Sequence, residues 1–259
     1  ADICFASATI SSNVGISNWS LYAVLAGRTC GMRSRARSVF SSASVKSSVN
    51  QPVSVRPSQP VGAALKEACR HPGFLLLCAS YGVCGFQVTF VGVHLPAYLA
   101  DQGIAPQVGA TALALIGLFN IVGTWLFGLL GARRNKARLL SLIYAARALA
   151  ITCFVLLPLS PLSSMLFAAA IGFLWLGTVP LTSGLVGQIF GVRYMSTLFG
   201  IVFLSHQVGS FFGAWGAGYI FNRTGSYDLA WQLSIGIALL AAVLHWPIRD
   251  TPVARQVAE

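Results

Sequence analysis

The residues of this chain that could do chemistry are polar side chains inside long apolar segments. Arg147 lies near the middle of LLSLIYAARALAITCFVLL, and His206 lies in FLSHQVGSFFGAWGAG. A charge at the centre of a membrane span costs ~2.5–3.5 kcal/mol, so it normally faces protein or a water-filled cavity. There Arg147 could attract an anionic solute, and His206 could carry a coupling proton. The structural alternatives are that Arg147 bonds helix carbonyls or Tyr144, and that His206 bonds across a tight helix contact.

Other polar residues follow single helical faces of the apolar segments. Such donors and acceptors suit a transport path, because a desolvated solute needs partners that replace water. The alternative is that threonine and asparagine hold helices together through hydrogen bonds. The first segment has Gln87, His94 and Tyr98 on one face, the second has Asn120 and Thr124, and the fourth has Trp175, Thr178 and Thr182. On the fifth segment Gln207 points about 100° away from His206. The candidates for substrate binding or coupling are therefore Arg147, His206, Gln207, Gln87, His94, Asn120 and Thr178.

Nothing in the sequence indicates catalysis, a cofactor or a metal site. The six acidic residues all lie in loops, tails or the ends of apolar segments, so no pair of carboxylates can act inside the membrane. The cysteines at positions 5, 30, 69, 78, 84 and 153 form no CxxC pair and no cluster with histidine at metal-ligand spacing. We expect them to serve as small apolar residues, and we expect no enzymatic activity.

Six apolar segments must position these residues. The 259-residue chain is 56% hydrophobic and 9% charged, with a mean hydropathy of +0.73, which predicts an all-α polytopic membrane protein. Gly209 and Gly213 have the small-residue spacing that lets helices approach closely. Pro180, with Gly177 and Gly184, would let the fourth segment bend, although glycine and proline are also tolerated generally in membrane helices. The predicted spans are residues 73–99, 109–130, 139–157, 162–190, 195–221 and 229–246.

The positive charge predicts how the chain is oriented. Fifteen of the 17 lysines and arginines fall before the first span, after the second and fourth spans, or after the sixth span. Arg147 lies inside a span, and Arg223 alone lies on the opposite side. The positive-inside rule then places both termini in the cytoplasm, so the net charge of +11 calls for no nucleic acid. The expected location is the plasma membrane, meaning the bacterial inner membrane.

The first 72 residues differ from the rest in composition. They are rich in serine and arginine, which predicts a flexible or disordered cytoplasmic lead. Near its end, residues 61–70 have polar and apolar faces at helical spacing, which predicts a short interfacial helix. The expected organisation is therefore this lead, a six-helix membrane half-domain at 73–250, and a cytoplasmic tail at 251–259.

The loop after the second span carries a recognisable motif. GLLGARRNKARLL resembles the cytoplasmic loop motif of the major facilitator superfamily: Gly128 and Arg133 fit it, and Lys136 and Arg138 fit more loosely. Ala132 stands where the motif has aspartate, and Asn135 stands where it has its second glycine. TGSYDLAW resembles the outer loop between spans eleven and twelve, and CGFQVTFVGVHLPAYLADQGI resembles span seven of the bacterial monocarboxylate and oxalate transporter-like branch. The resemblance covers about residues 58–250.

The resemblance implies a secondary transporter of which this chain supplies one half. Family members have twelve spans in two halves, with substrate bound between the halves. SNWSLYAVLAG, at residues 17–27, looks like the start of span six, so we expect a truncated or frame-shifted reading of a longer gene. Otherwise the chain pairs with a second half or a copy of itself.

The resemblance also implies the cargo, a small solute such as a monocarboxylate anion that is moved by alternating access, with a proton as its possible partner. The competing prediction is an inactive fragment, or a membrane scaffold without transport activity.

Overall fold

Helices that can cross a membrane make up nearly all of the described chain. The structure is a computed structural model, and it describes residues 59–253. Within this range six helical spans are long and apolar enough to cross a bilayer: Pro72–Asp101, Pro106–Arg133, Lys136–Leu156, Pro161–Phe190, Val192–Thr224 and Asp228–His245. The prediction of an all-α polytopic protein with six spans is confirmed, and its bounds differ from these by a few residues. The predictions for residues 1–58 and 254–259 lie outside the described residues.

The spans begin and end where the local chemistry favours it. Proline occupies the first helical position at Pro72, Pro106 and Pro161, where the missing N–H would have had no partner. Asn135 caps the third span, because its side-chain oxygen accepts the N–H of Arg138 at 2.9 Å. The turn after the fourth span depends on Gly191, whose φ of +95° is a conformation that favours glycine.

A short helix, Val61–Arg70, precedes the first span. Its Ala64 and Ala68 are buried, whereas Lys66 and Arg70 are exposed, so the helix has one apolar and one polar face.

Two spans are irregular near their middle. The fourth span consists of the helices Pro161–Phe173 and Thr178–Phe190, separated by a break at residues 174–177. The fifth span runs as Val192–Phe211, then a π-helical turn at Phe212–Gly216, then Ala217–Thr224. Within a membrane such irregular backbone requires partners from neighbouring helices, because no water satisfies the freed peptide groups.

The spans pack chiefly in three pairs: the first with the fifth, the second with the fourth, and the third with the sixth. Glycines make the first two contacts close. A methyl group on Gly209 would overlap the carbonyl of Gly82, and one on Gly213 would overlap the carbonyl of Phe86. A methyl group on Gly123 would likewise overlap the carbonyl of Phe173. The backbones of the paired spans therefore touch where side chains are missing.

Two apolar cores lie along the bundle, with polar residues between them. On the third span the first core ends at Tyr144 and the second begins at Ile151. Arg147 lies between these two residues, and Ser234 occupies the equivalent place on the sixth span. We call the buried residues at this level the polar layer, and they are Cys84, Gln87, Arg147, Thr178 and Ser234.

Candidate functional site

Arg147 is the centre of the polar layer. It is 1% exposed, and its guanidinium points at the break in the fourth span. Nε and Nη2 donate to the carbonyl of Leu174 at 3.2 and 2.7 Å, and Nη2 also donates to the carbonyl of Trp175. These carbonyls lie at the open end of a helix, where no peptide N–H completes them. The arginine therefore supplies the donors that the break requires.

Asn120 holds the other side of the same break. Its side-chain oxygen accepts the N–H of Leu176 at 3.0 Å and the hydroxyl of Thr124 at 3.1 Å. The second span thus satisfies a donor of the break, while the third span satisfies its acceptors. Two of the predicted residues, Asn120 and Arg147, meet the fourth span from different neighbours and together stabilise its interruption.

Gln87 and Cys84 connect Arg147 to the first span. Nη1 of Arg147 lies 3.4 Å from the side-chain oxygen of Gln87 and 3.4 Å from the sulfur of Cys84. Gln87 donates from its amide to the carbonyl of Ser234 at 3.1 Å, and Cys84 lies 3.4 Å from the hydroxyl of Thr178. The layer therefore joins the first, third, fourth and sixth spans in one hydrogen-bonded group.

The charge of Arg147 has no acidic partner in this group. The four acidic residues of the described range, Glu67, Asp101, Asp228 and Asp250, lie outside the interiors of the spans, and Asp101 and Asp228 stand at span ends. Within residues 59–253 the guanidinium contacts neutral acceptors and the ring of Tyr144, whose centroid lies 5.4 Å from its central carbon. Its hydrogen bonds are satisfied, but its positive charge is not neutralised, which costs free energy in a medium of low dielectric constant.

His94 completes the π-helical turn of the fifth span. Its Nε2–H donates to the carbonyl of Ala214 at 2.9 Å, and its Nδ1 lies 3.2 Å from the hydroxyl of Tyr227. Burial raises the pKa of Tyr227, and the carboxylate of Asp101 raises it further, so the hydroxyl keeps its proton and donates it to His94. The carbonyl of Ala214 also accepts the backbone N–H of Ala217, so His94 adds a second donor from the first span at the irregular turn, apart from the polar layer.

His206 lies on the face of the fifth span that turns toward the first span, whereas the next residue, Gln207, points away from that contact and is exposed. His206 is 8% exposed and its ring lies 5.1 Å from that of Tyr81. Nδ1 of His206 lies 3.1 Å from the side-chain oxygen of Gln207, which is itself exposed. For the amide nitrogen of Gln207 no hydrogen-bond partner occurs among residues 59–253.

The residues of the basic loop lie at the end of the second span and the start of the third. Arg133 and Arg138 are exposed, whereas Lys136 donates to the side chain of Gln188 at 2.8 Å. Asn135, in the position of the motif's second glycine, donates to the carboxylate of Asp250 at 2.8 Å. Gly128 faces Pro180, whose Cβ would be 4.0 Å from a Cβ on the glycine.

The structure brings only part of the predicted set together. Arg147, Gln87, Thr178 and Asn120 gather around the break in the fourth span, and His206 reaches this group through the side chain of Cys84. His94 lies at a separate contact with the fifth span. Sequence reasoning did not single out Cys84, Ser234 or Tyr227, because these residue types are ordinary in apolar helices. Cys84 could have been predicted from its position three residues before Gln87, because residues at this spacing lie on the same helical face.

Comparison with known proteins relates the chain to membrane transporters. A family model described as Major Facilitator Superfamily matches residues 21–214. Monocarboxylate transporter 12-B of Danio rerio is 27% identical over 176 residues, which are 67% of this chain and 37% of that protein. Monocarboxylate transporter 12 of Homo sapiens is 25% identical over 174 residues, 66% of this chain and 34% of that protein. The uncharacterized MFS-type transporter YhjX of Escherichia coli strain K12 is 22% identical over 149 residues, 56% of this chain and 37% of that protein.

These matches span little more than a third of the length of the relatives, from 34% to 37% in the three proteins named.

Proposed function

The chain belongs to the Major Facilitator Superfamily, and from this premise we propose that it serves in a secondary transporter that moves a small organic anion by alternating access. The carboxylate class of the cargo is supported by the vertebrate relatives, whose names state monocarboxylate transport. The bilayer and a small solute are the partners that this function requires. Since the chain spans about a third of those relatives, a second half or a copy of the chain completes the cavity.

The observation that carries this proposal is the uncompensated charge of Arg147. Burying a charge without a counter-ion costs free energy, and an anion near the polar layer would recover part of that cost. The guanidinium contacts the side chain of Gln87 and the carbonyl of Trp175, so an anion binds it directly only when these contacts are exchanged. The attraction is strongest in whichever conformation opens a path to Arg147.

The break in the fourth span supplies the element that moves. A helix interrupted at residues 174–177 can change its angle there without breaking regular hydrogen bonds along its two halves. Arg147 and Asn120 fix the closed arrangement through three backbone groups of the break. Exchange of carbonyl partners for a carboxylate would couple anion binding to that motion, as alternating access requires.

His206 is the group that we assign to proton coupling. The spans carry no acidic residue in their interiors, so a proton relay within this chain has to use a histidine. His206 is next to the exposed Gln207 and within 3.4 Å of the hydroxyl of Ser210, which gives a proton two polar neighbours.

The proposed setting is the plasma membrane, the inner membrane in a bacterium, with both termini and the basic loop on the cytoplasmic side. In this arrangement residues 1–72 and 251–259 flank a membrane half-domain at 73–250.

Uptake of a labelled monocarboxylate by the full-length protein in liposomes tests the function. Arg147→Leu is expected to lower uptake about tenfold or more, because a charge-assisted hydrogen bond contributes ~1.5–3 kcal/mol. His206→Gln, read in the same assay, is expected to keep exchange of anions but to lose stimulation by a pH gradient.

The matched control is Arg223→Leu, which removes an exposed arginine at the end of the bundle opposite the basic loop. This variant should leave uptake unchanged. Folding of each variant is checked by size-exclusion chromatography, and its insertion by co-flotation with the liposomes. Uptake that survives Arg147→Leu at the wild-type rate would remove Arg147 from the mechanism. A wild-type protein that is inserted but moves no anion would instead support the non-transporting scaffold or fragment.

A further inference from the structure

A groove lies between the third and sixth spans at the basic end of the bundle, away from the polar layer. Its volume is about 390 Å³. The side chains that line it are apolar except for one serine: Ser141, Ala242, Val243, Leu244, Trp246 and Pro247. It lies between two neighbouring spans, so in a bilayer it faces lipid.

The groove is a fixed feature, because the two spans are tied together around it. The hydroxyl of Ser141 donates to the carbonyl of Ala242 at 2.7 Å, so the one polar group of the lining is already satisfied. One turn further along, the rings of Tyr144 and His245 stack with centroids 5.1 Å apart. Apart from the indole N–H of Trp246, the groove therefore offers an apolar surface with no free hydrogen-bonding group of its own.

Two exposed arginines flank the groove at its basic end. Arg138 lies one helical turn before Ser141 on the third span, and Arg249 lies two residues after Pro247. The carboxylate of Asp250, which is next to Arg249, is occupied by the amide of Asn135 at 2.8 Å. That bond also holds the segment after the sixth span beside the start of the third span. The two arginines thus stand at the same end, and the acidic residue between the two segments already has a donor.

Trp246 marks the level at which the groove meets the membrane surface. It is 76% exposed at the end of the sixth span. Exposed tryptophans concentrate at the boundary between hydrocarbon and headgroups, where the ring has an apolar body and a polar N–H. The groove thus lies on the hydrocarbon side of this boundary, and Arg138 and Arg249 lie on the headgroup side.

We propose that this groove is a binding site for an anionic phospholipid, with an acyl chain along the apolar lining and the phosphate between Arg138 and Arg249. The apolar lining favours a hydrocarbon chain, and two exposed arginines at the same end of the groove favour an anionic head. A soluble anion would use only the arginines. A zwitterionic lipid would fit the groove but would gain little net attraction from the charges, since its own ammonium opposes them.

Fluorescence of Trp246 measures directly which lipid contacts the groove, in the full-length protein in vesicles. Phosphatidylglycerol with brominated acyl chains quenches a tryptophan that it touches, and brominated phosphatidylcholine serves as the competitor. The difference between the wild type and Trp246→Phe isolates the signal of this residue. The wild type is expected to prefer the anionic lipid by about 25-fold, because each of the two arginines near the surface contributes a factor of about five.

The variant Arg138→Gln with Arg249→Gln removes both charges and should abolish the preference. Arg193→Gln, at the same end of the bundle but outside the groove, is the matched control and should keep it. The proposal is overturned if Trp246 is quenched equally by both lipids, if the preference survives the double substitution, or if Arg193→Gln reduces it as much. If Arg193→Gln reduces the preference as much, the overall positive charge at this end of the bundle attracts the lipid, and not the groove. A circular dichroism spectrum and an unfolding midpoint like those of the wild type show that the double variant is folded.

Discussion

Arg147 has partners for its hydrogen bonds but no counter-ion for its charge among residues 59–253. Its nitrogens reach the carbonyls of Leu174 and Trp175 and the side chain of Gln87, so removing it would leave acceptors without donors in a membrane interior. The insertion cost of ~2.5–3.5 kcal/mol is about what one or two charge-assisted hydrogen bonds contribute, at ~1.5–3 kcal/mol each. The hydrogen bonds explain why the arginine is tolerated, and the remaining charge is what an anion can use.

Asn120 is a neutral partner of the same break, and its contribution to the free energy of unfolding can be measured. Asn120→Leu would leave the N–H of Leu176 without an acceptor, and we expect a loss of ~1–3 kcal/mol in the free energy of unfolding. The measurement is thermal or denaturant unfolding of the purified protein in detergent, followed by circular dichroism. The substitution should lower the midpoint, because an unsatisfied amide in a membrane interior finds no water.

The control for Asn120 is Thr124→Val, on the same span one turn away. It removes the bond between Thr124 and Asn120 but keeps the bond from Leu176. Its unfolding midpoint should stay close to that of the wild type. An equal loss in both variants would mean that Asn120 contributes through Thr124 and not through the break.

At the scale of helices, the contact between the first and fifth spans depends on missing side chains. Gly209→Ala would place a methyl group against the carbonyl of Gly82, where backbone cannot shift without separating the spans. Overpacking of this kind costs ~1–3 kcal/mol, and we expect a lower thermal midpoint with a smaller yield of monodisperse protein.

Gly200→Ala is the matched control on the same span. No atom lies within 4 Å of the position that its Cβ would take, and alanine favours a helix over glycine by about 0.5–1 kcal/mol. This variant should be as stable as the wild type or more stable. If Gly209→Ala is equally well tolerated, the spans are not held in close backbone contact.

The helices were predictable from the sequence, whereas their interruptions were only partly so. Long apolar runs bounded by proline and charged loops determine spans by length, since the hydrocarbon thickness is fixed. Pro180 and Gly177 favoured a bend in the fourth span. The position of the break, however, is stabilised by Arg147 and Asn120, which lie on other spans and more than 20 residues away in the chain. A sequence pattern on one helix does not contain donors that arrive from its neighbours.

The same reason limited prediction of the site. Arg147, Gln87 and Asn120 stood out because a polar residue in an apolar run is conspicuous. Cys84 and Ser234 did not, since cysteine and serine fit apolar helices without cost, and only packing shows that they line the polar layer. Likewise, nothing on the fifth span predicts the π-helical turn to which His94 donates a hydrogen bond.

At the scale of the whole molecule, the fifth span presents a polar group on its outer face. Gln207 is exposed near the middle of the span, and its amide nitrogen has no partner within residues 59–253. Exposed apolar side chains are compatible with lipid, but an exposed amide in hydrocarbon costs several kcal/mol by the transfer scales. This face is therefore suited to a water-filled cavity against a second six-span unit, and the third span, with Leu149 65% exposed, is suited to lipid.

Labelling of introduced cysteines tests this difference between faces. Gln207→Cys should react in membrane vesicles with a water-soluble maleimide, because water reaches the cavity, and bound substrate should slow the reaction. Leu149→Cys should stay unlabelled, since maleimide reacts with thiolate and a thiol in hydrocarbon does not ionise. Both are read against the unsubstituted chain, which corrects for native cysteines such as the exposed Cys153. Equal labelling at the two positions would mean that both faces contact lipid or both contact water, and the fifth span would lose its assignment to the cavity.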